Sequence, residues 1–226
     1  MLKKILRKLH IFHNIYIKHK SFIKKKSYSL DGEDSFIEKY FKETPVGFYI
    51  DVGCHNPIYL NNTFLLHKKK WKGINIDTSQ FAIDLFNYMR PNDLNYNCAV
   101  SNKNENVKLY FQKEFSLLNT IEINHAKKFM QGNIKEKIIE AFTLDEILNR
   151  SIYKNSKIDF LDIDVEGADL KVLEGLSFDK FKPKLICVEI HEKKIEESEI
   201  YKFLIEKKYK LIWSGMFSHI FKRFQK

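Results

Sequence analysis

Three carboxylates stand at alternate positions in "DFLDIDVEGADLKVLEG", residues 159–175: Asp162, Asp164 and Glu166. In an extended chain alternate side chains share a side, so the three converge at the end of the strand that carries them. Like charges so placed repel, and they need a cation, hydrogen bonds or a raised pKa to be tolerated. A sulfonium, a substrate hydroxyl awaiting deprotonation, or a divalent metal each answers that need. The stretch "CVEIHE" puts Glu189 and His191 on one face of a further strand. His191 suits a general base because its reference pKa lies near neutrality. The candidate base is Asp164 or His191, with Asp162 or Glu166 orienting it. The candidate metal ligands are Asp162, Asp164 and Glu189.

A second group of residues has the order of a nucleoside site. Asp51, Gly53, Cys54, His55, Asn56 and Pro57 follow an apolar run, and Asp77 and Thr78 follow the next one. Asp77 lies 24 positions beyond Gly53, close to the roughly 20 expected for a carboxylate that accepts both ribose hydroxyls. A dinucleotide would also need successive glycines, so that backbone N–H groups can approach its pyrophosphate. Here Asn56 and Pro57 occupy those positions, and proline has no N–H to give. A cofactor without phosphate, such as S-adenosylmethionine, fits this loop better than a dinucleotide.

Both groups need strand ends to stand on. Phe48–Val52, Ile74–Ile76, Leu94–Val100, Ile158–Ile163 and Leu185–Ile190 are apolar without alternation, as strands covered on both faces are. Helix-like segments at Ser35–Phe41, Asn62–Lys70, Ser79–Met89, Leu170–Leu176 and Glu196–Lys207 precede or separate them, and Val107–Phe111 adds a strand. Strand alternating with helix predicts a doubly wound, mostly parallel α/β sheet. Lys210–Trp213 and His219–Phe221 predict a closing antiparallel hairpin. Residues 114–140 carry one helix-like stretch, Asn124–Met130, and fit an insertion over the active face.

The net charge of +10 is local. Residues 1–28 hold nine Lys/Arg and no Asp/Glu; taking those nine from 39 leaves 30 basic against 29 acidic groups. A nucleic-acid enzyme would carry its positive field on the folded domain, so a nucleic-acid partner is not expected. Within this arm Leu2, Ile5, Leu6, Leu9, Phe12 and Tyr16 fall on one side of a helix. That pattern suits peripheral contact with an anionic membrane, and equally a basic helix packed on the domain. Its longest uncharged run, Leu9–Ile17, has nine residues, too few to span a bilayer. Residues 1–30 are therefore read as an arm and 31–226 as one domain. Cys54, Cys98 and Cys187 show no metal-type spacing and read as reduced thiols of a cytoplasmic protein.

The residues also carry a family pattern. "FYIDVGCHNP", "NNTFLL", "WKGINIDTS", "NCAVSNKNENVKLYF", "LLNT", "FTLDEIL", "IDFLDIDVEGADLKVLEGL" and "PKLICVEIHE" occur in this order. From about Gly47 to His191 the chain resembles the FkbM family of S-adenosylmethionine-dependent methyltransferases. The resemblance implies a Rossmann-like fold and methylation of hydroxyl oxygens of sugars or natural products. It implies that Asp51 and Gly53 belong to the cofactor loop, that Asp77 binds ribose, and that Ala99, Val100 and Ser101 lie near adenine. Asp164, Glu166 and Gly167 would form the acidic motif of the active face. The function expected is O-methylation of a sugar hydroxyl in surface-glycan synthesis. An RNA methyltransferase, or a membrane-associated binding protein with a degenerate pocket, is the alternative.

Overall fold

The computed structural model describes residues 2–224; Met1, Gln225, Lys226 and the side chain of Leu2 lie outside the description. The unalternating apolar runs become strands of the main sheet. These are β1 (Phe48–Val52), buried throughout, and β2 (Lys72–Asp77) inside it, and β3 (Leu94–Asn97) at its edge. The run Leu94–Val100, expected as one strand, breaks at Cys98. Its second half, β4 (Ala99–Val100), leaves the main sheet for a smaller one with β5 (Glu105–Phe111) and β6 (Lys135–Phe142), in the order β4-β6-β5. The chain returns as β7 (Phe160–Ile163), β8 (Leu185–Glu189) and the hairpin β9 (Tyr209–Ser214)–β10 (Ser218–Arg223).

The main sheet has seven strands in the order β3-β2-β1-β7-β8-β10-β9. The pairs among β3, β2, β1, β7 and β8 are parallel, while β10 runs antiparallel to both β8 and β9. The expected hairpin is present, and β10 lies between β8 and the edge strand β9. Chain order reverses between β1 and β7, where Asp51 stands beside Asp162 in register. Crevices at such switch points are where open α/β sheets bind ligands.

Helices cover both faces. On one, α6 (Leu144–Arg150), α7 (Asp169–Glu174) and α8 (Glu199–Glu206) place Leu144, Leu148, Val172, Leu173 and Leu204 on Ile50, Leu161 and Ile186. On the other, α2 (Glu33–Tyr40) and α3 (Phe64–Lys68) bring Ile37, Phe41 and Leu66 against Tyr49, Phe160 and Leu185. Alternation along β1 thus feeds two cores, Ile50 to one and Tyr49 to the other. α4 (Gln80–Met89) opens on Ser79, whose hydroxyl accepts from the Ala82 N–H, and α6 on Thr143, which accepts from Glu146. Upstream, α1 (Leu2–Phe12) runs into a wider π-helical segment, His13–Lys18. Among the described residues no helix is long and apolar enough to cross a membrane.

Candidate active site

The loops at the C-terminal ends of β1, β2 and β7 enclose a cleft of about 220 Å³. Gly53 leaves β1 with φ +84°, and its N–H and that of Cys54 donate to the Ile76 carbonyl at 2.9 and 3.1 Å. A Cβ on Gly53 would stand 1.7 Å from the Asp164 carbonyl oxygen, so only glycine lets the loops after β1 and β7 meet here. His55 follows at φ +43°, a strained value for a side-chain-bearing residue. Its N–H donates to Asp77 Oδ2 at 2.9 Å, and its ring stacks on Phe115 at 4.3 Å. Asp77 also accepts from the Ser79 N–H at 2.7 Å. Burial pushes the Asp77 carboxyl up to about 6 and holds His55 down at about 4, so His55 is neutral. Thr78, Ala99 and Val100 line the same cleft.

The acidic turn closes the other side. The chain leaves β7 at Ile163 and bends through Glu166 (φ +57°) and Gly167 (φ +93°). The three alternate carboxylates therefore do not share one side. Asp164 opens onto the cleft, where its carboxyl has no hydrogen-bond partner among the described residues. The surrounding walls desolvate it, and with the charges of Glu189 and Glu166 they hold its pKa well above the usual carboxylate range. Glu166 also faces the cleft, and its Oε2 lies 2.8 Å from His125 Nε2. Burial, aided by Glu189, pushes Glu166 up to about 8, while burial and the neighbouring His191 hold His125 below its usual value. The two therefore share one proton near neutrality. Asp162 points beneath the cleft instead, accepting from Asn62 Nδ2 at 3.1 Å beside Cys187.

Other expected residues also stand behind the cleft wall. The Asp51 carboxylate is buried under the loop, bonded to Thr63 Oγ1 (2.6 Å) and Asn61 Nδ2 (3.1 Å). Cys54 is packed with Ile83 and Phe86, and burial raises its thiol pKa. Asn56 spends its side chain on Asn14 and on the Ile58 and Tyr59 N–H groups. Ser101 is buried where β4 ends. His191 is exposed behind the cleft-lining Glu189, 3.3 Å from its carboxylate, which raises the His191 pKa. The candidate metal set is not assembled: among the described residues no three His, Cys, Asp or Glu side chains form a cation-holding group.

Several residues at or beside the cleft were not among the candidates: Asn62, Asn119 and Thr120 stood only within the family-pattern pieces "NNTFLL" and "LLNT", and Glu33 and His125 carried no signal. Glu33, at the start of α2, and Asn62 reach the cleft from the far side of the sheet. Asn119 and Thr120 reach it from the insertion, Thr120 donating to the Glu166 carbonyl at 2.8 Å. His125 comes from α5 (Ile123–Phe129) of that insertion. The cleft is thus lined by five carboxylates, Glu33, Asp77, Asp164, Glu166 and Glu189, and by no Lys or Arg among the described residues.

A seven-stranded sheet of this order, with an acidic cleft at its switch point, defines a Rossmann-like α/β domain of the methyltransferase type. Residues 51–211 match the methyltransferase FkbM domain, and the chain belongs to that family of methyltransferases. No curated protein matches the chain.

Proposed function

We propose that the protein is an S-adenosylmethionine-dependent O-methyltransferase acting on a sugar hydroxyl, in the synthesis of surface glycans or related compounds. One observation carries the reading: a cleft with five carboxylates and no cationic side chain among the described residues. Such a site repels phosphate and favours a cation, as the sulfonium and ammonium groups of S-adenosylmethionine require. The residues fit this cofactor in a second respect. Asn119 Oδ1 is buried at the cleft with no partner among the described residues, an acceptor left for a donor on the bound molecule.

Bound there, S-adenosylmethionine supplies an electrophilic methyl group. Asp77, at the end of β2, would accept from the ribose hydroxyls. Cys98, Ala99 and Val100 offer the apolar wall for adenine. Asp164 takes the sugar hydroxyl proton as the oxygen attacks, because its raised pKa brings it closer to the range useful for proton abstraction. Glu166 and Glu189 accept from neighbouring hydroxyls and hold the acceptor in line, which supplies much of the acceleration. Metal ligation by Asp162, Asp164 and Glu189 has no part in this reading.

The test pairs binding with turnover. S-adenosylmethionine is expected to raise Tm, an NAD dinucleotide is not, and Asp77→Ala is expected to lose the shift. With glycan acceptors, Asp164→Asn should lower methyl transfer by about 100-fold or more without lowering Tm. Absence of any S-adenosylmethionine-dependent shift, or wild-type turnover by Asp164→Asn, would sink the reading. Methylation of RNA but no sugar would move the acceptor to the other class.

A further inference from the structure

We propose that α1 docks the protein on an anionic lipid surface. The helix is fixed to the domain by one side only. Arg7 pairs with Asp84 of α4, the His10 ring stacks on Phe81 at 4.4 Å, and Ile15 is buried beside Tyr28 and Leu85. At the π-helical segment Asn14 Oδ1 accepts from Asn56 Nδ2 at 3.0 Å, tying the helix to the loop after β1. The opposite side carries Ile5, Leu6, Leu9 and Phe12, each about half exposed. Ile17, Phe22 and Ile23 further along the arm are also exposed, Phe22 by 73%. Seven exposed large apolar side chains thus fall within residues 5–23, four of them on one side of α1, a concentration that marks an interaction surface.

The charge around this patch selects the occupant. Lys8 borders the apolar side of α1, Lys3 and Lys4 stand nearer its domain-facing side at the helix start, and Lys18, Lys20, Lys24, Lys25 and Lys26 follow. No Asp or Glu occurs in residues 1–28, whereas the rest of the chain is nearly balanced. A second copy laid on the stripe would bring like-charged arms together. An anionic lipid surface accepts the apolar side chains between its headgroups and neutralises the lysines at once. The helix lies in the plane of that surface; it does not cross it. This inference is independent of the acceptor and of the methyl-transfer reading.

Sedimentation of the full chain with vesicles tests it. Binding is expected to phosphatidylcholine vesicles containing phosphatidylglycerol, with little to phosphatidylcholine alone, and it should weaken as salt rises. The double variant Leu6→Asp/Leu9→Asp and the triple variant Lys3→Glu/Lys4→Glu/Lys8→Glu should each bind at least about tenfold more weakly, with unchanged Tm because these side chains are exposed. Wild-type binding by Leu6→Asp/Leu9→Asp, or equal binding to neutral vesicles, would overturn the proposal. So would a chain that ignores vesicles but forms a concentration-dependent dimer broken by the same variant, which would give the stripe to a second copy.

Discussion

Arg90 lies wholly inside the protein and shows what the first loop is built on. Its guanidinium donates to Thr63 Oγ1 (2.7 Å), Tyr49 OH (3.0 Å), Asn61 Oδ1 (2.8 Å) and the Pro57 carbonyl (2.7 Å). The Thr63 hydroxyl donates to Asp51 at 2.6 Å, and Tyr49 donates to Asp93 at 2.6 Å. One buried cation therefore compensates two buried carboxylates through hydroxyl relays, and it holds the loop at Pro57 from below. Removing one member of such a set leaves uncompensated charge. Arg90→Met is expected to cost about 3–5 kcal/mol in urea unfolding, and a loss under about 1 kcal/mol would show that the set is not coupled in this way. Little of this was legible in the sequence. Asp51 was visible as a strand-end carboxylate, yet nothing in the string separates one that faces a ligand from one that faces Arg90. Arg90 itself, at the end of α4 before a proline, reads as an ordinary exposed cation.

At the scale of elements, legibility followed burial. β1, β2, β7 and β8 were readable because covering both faces demands unbroken apolar runs. The edge strand β3, "LNYN", was read fused to β4, and the hairpin was readable from its turn. β6 was not, since "KEKIIEAF" mixes charge with apolar residues and is largely exposed in the three-stranded sheet. The insertion between β5 and β6 was readable as one helix over the active face, and α5 (Ile123–Phe129) and the cleft-lining Asn119 and Thr120 stand there, but its contacts were not legible. Its hold on the acidic turn is local: Thr120 on the Glu166 carbonyl, and His125 on the Glu166 carboxylate. The His125 ring also fills the space a Cβ on Gly167 would need, 2.7 Å from its Nδ1. His125→Ala should therefore free the insertion more than it unfolds the domain. Amides of residues 115–129 are expected to exchange roughly tenfold faster, as loss of a hydrogen bond worth about 1.5 kcal/mol or more implies. KM should rise, while global Tm moves little. Unchanged exchange and KM in that variant would show that the contact does not hold the wall.

Over the whole molecule, charge is sorted: a basic arm, a near-neutral body and an acidic cleft. Burial lifts Glu166 to about 8 and Asp169 to about 7, and desolvation by the cleft walls with the charges of Glu189 and Glu166 raises Asp164 as well. The unfolded chain releases these protons near pH 4, so above that pH the folded state binds more protons than the unfolded one. Stability then falls with rising pH, and the loss is complete once pH passes the folded pKa values. His191, raised by Glu189, acts in the same direction above its unfolded value. His55 and His67, held neutral at about 4, act oppositely, but only below roughly pH 6.5. The clean window therefore runs from about pH 6.5 to 8.5. Across it the ligand-free protein should lose Tm, and Glu166→Gln should flatten the decline. A cationic ligand favours the ionised carboxylates, so S-adenosylmethionine should bind more tightly as pH rises, with proton release by the protein. S-adenosylhomocysteine, lacking the sulfonium charge, should gain less over the same range. Titration calorimetry in buffers of different ionisation enthalpy reads both quantities. Equal pH dependence for the two ligands would mean that the carboxylates do not face the sulfonium.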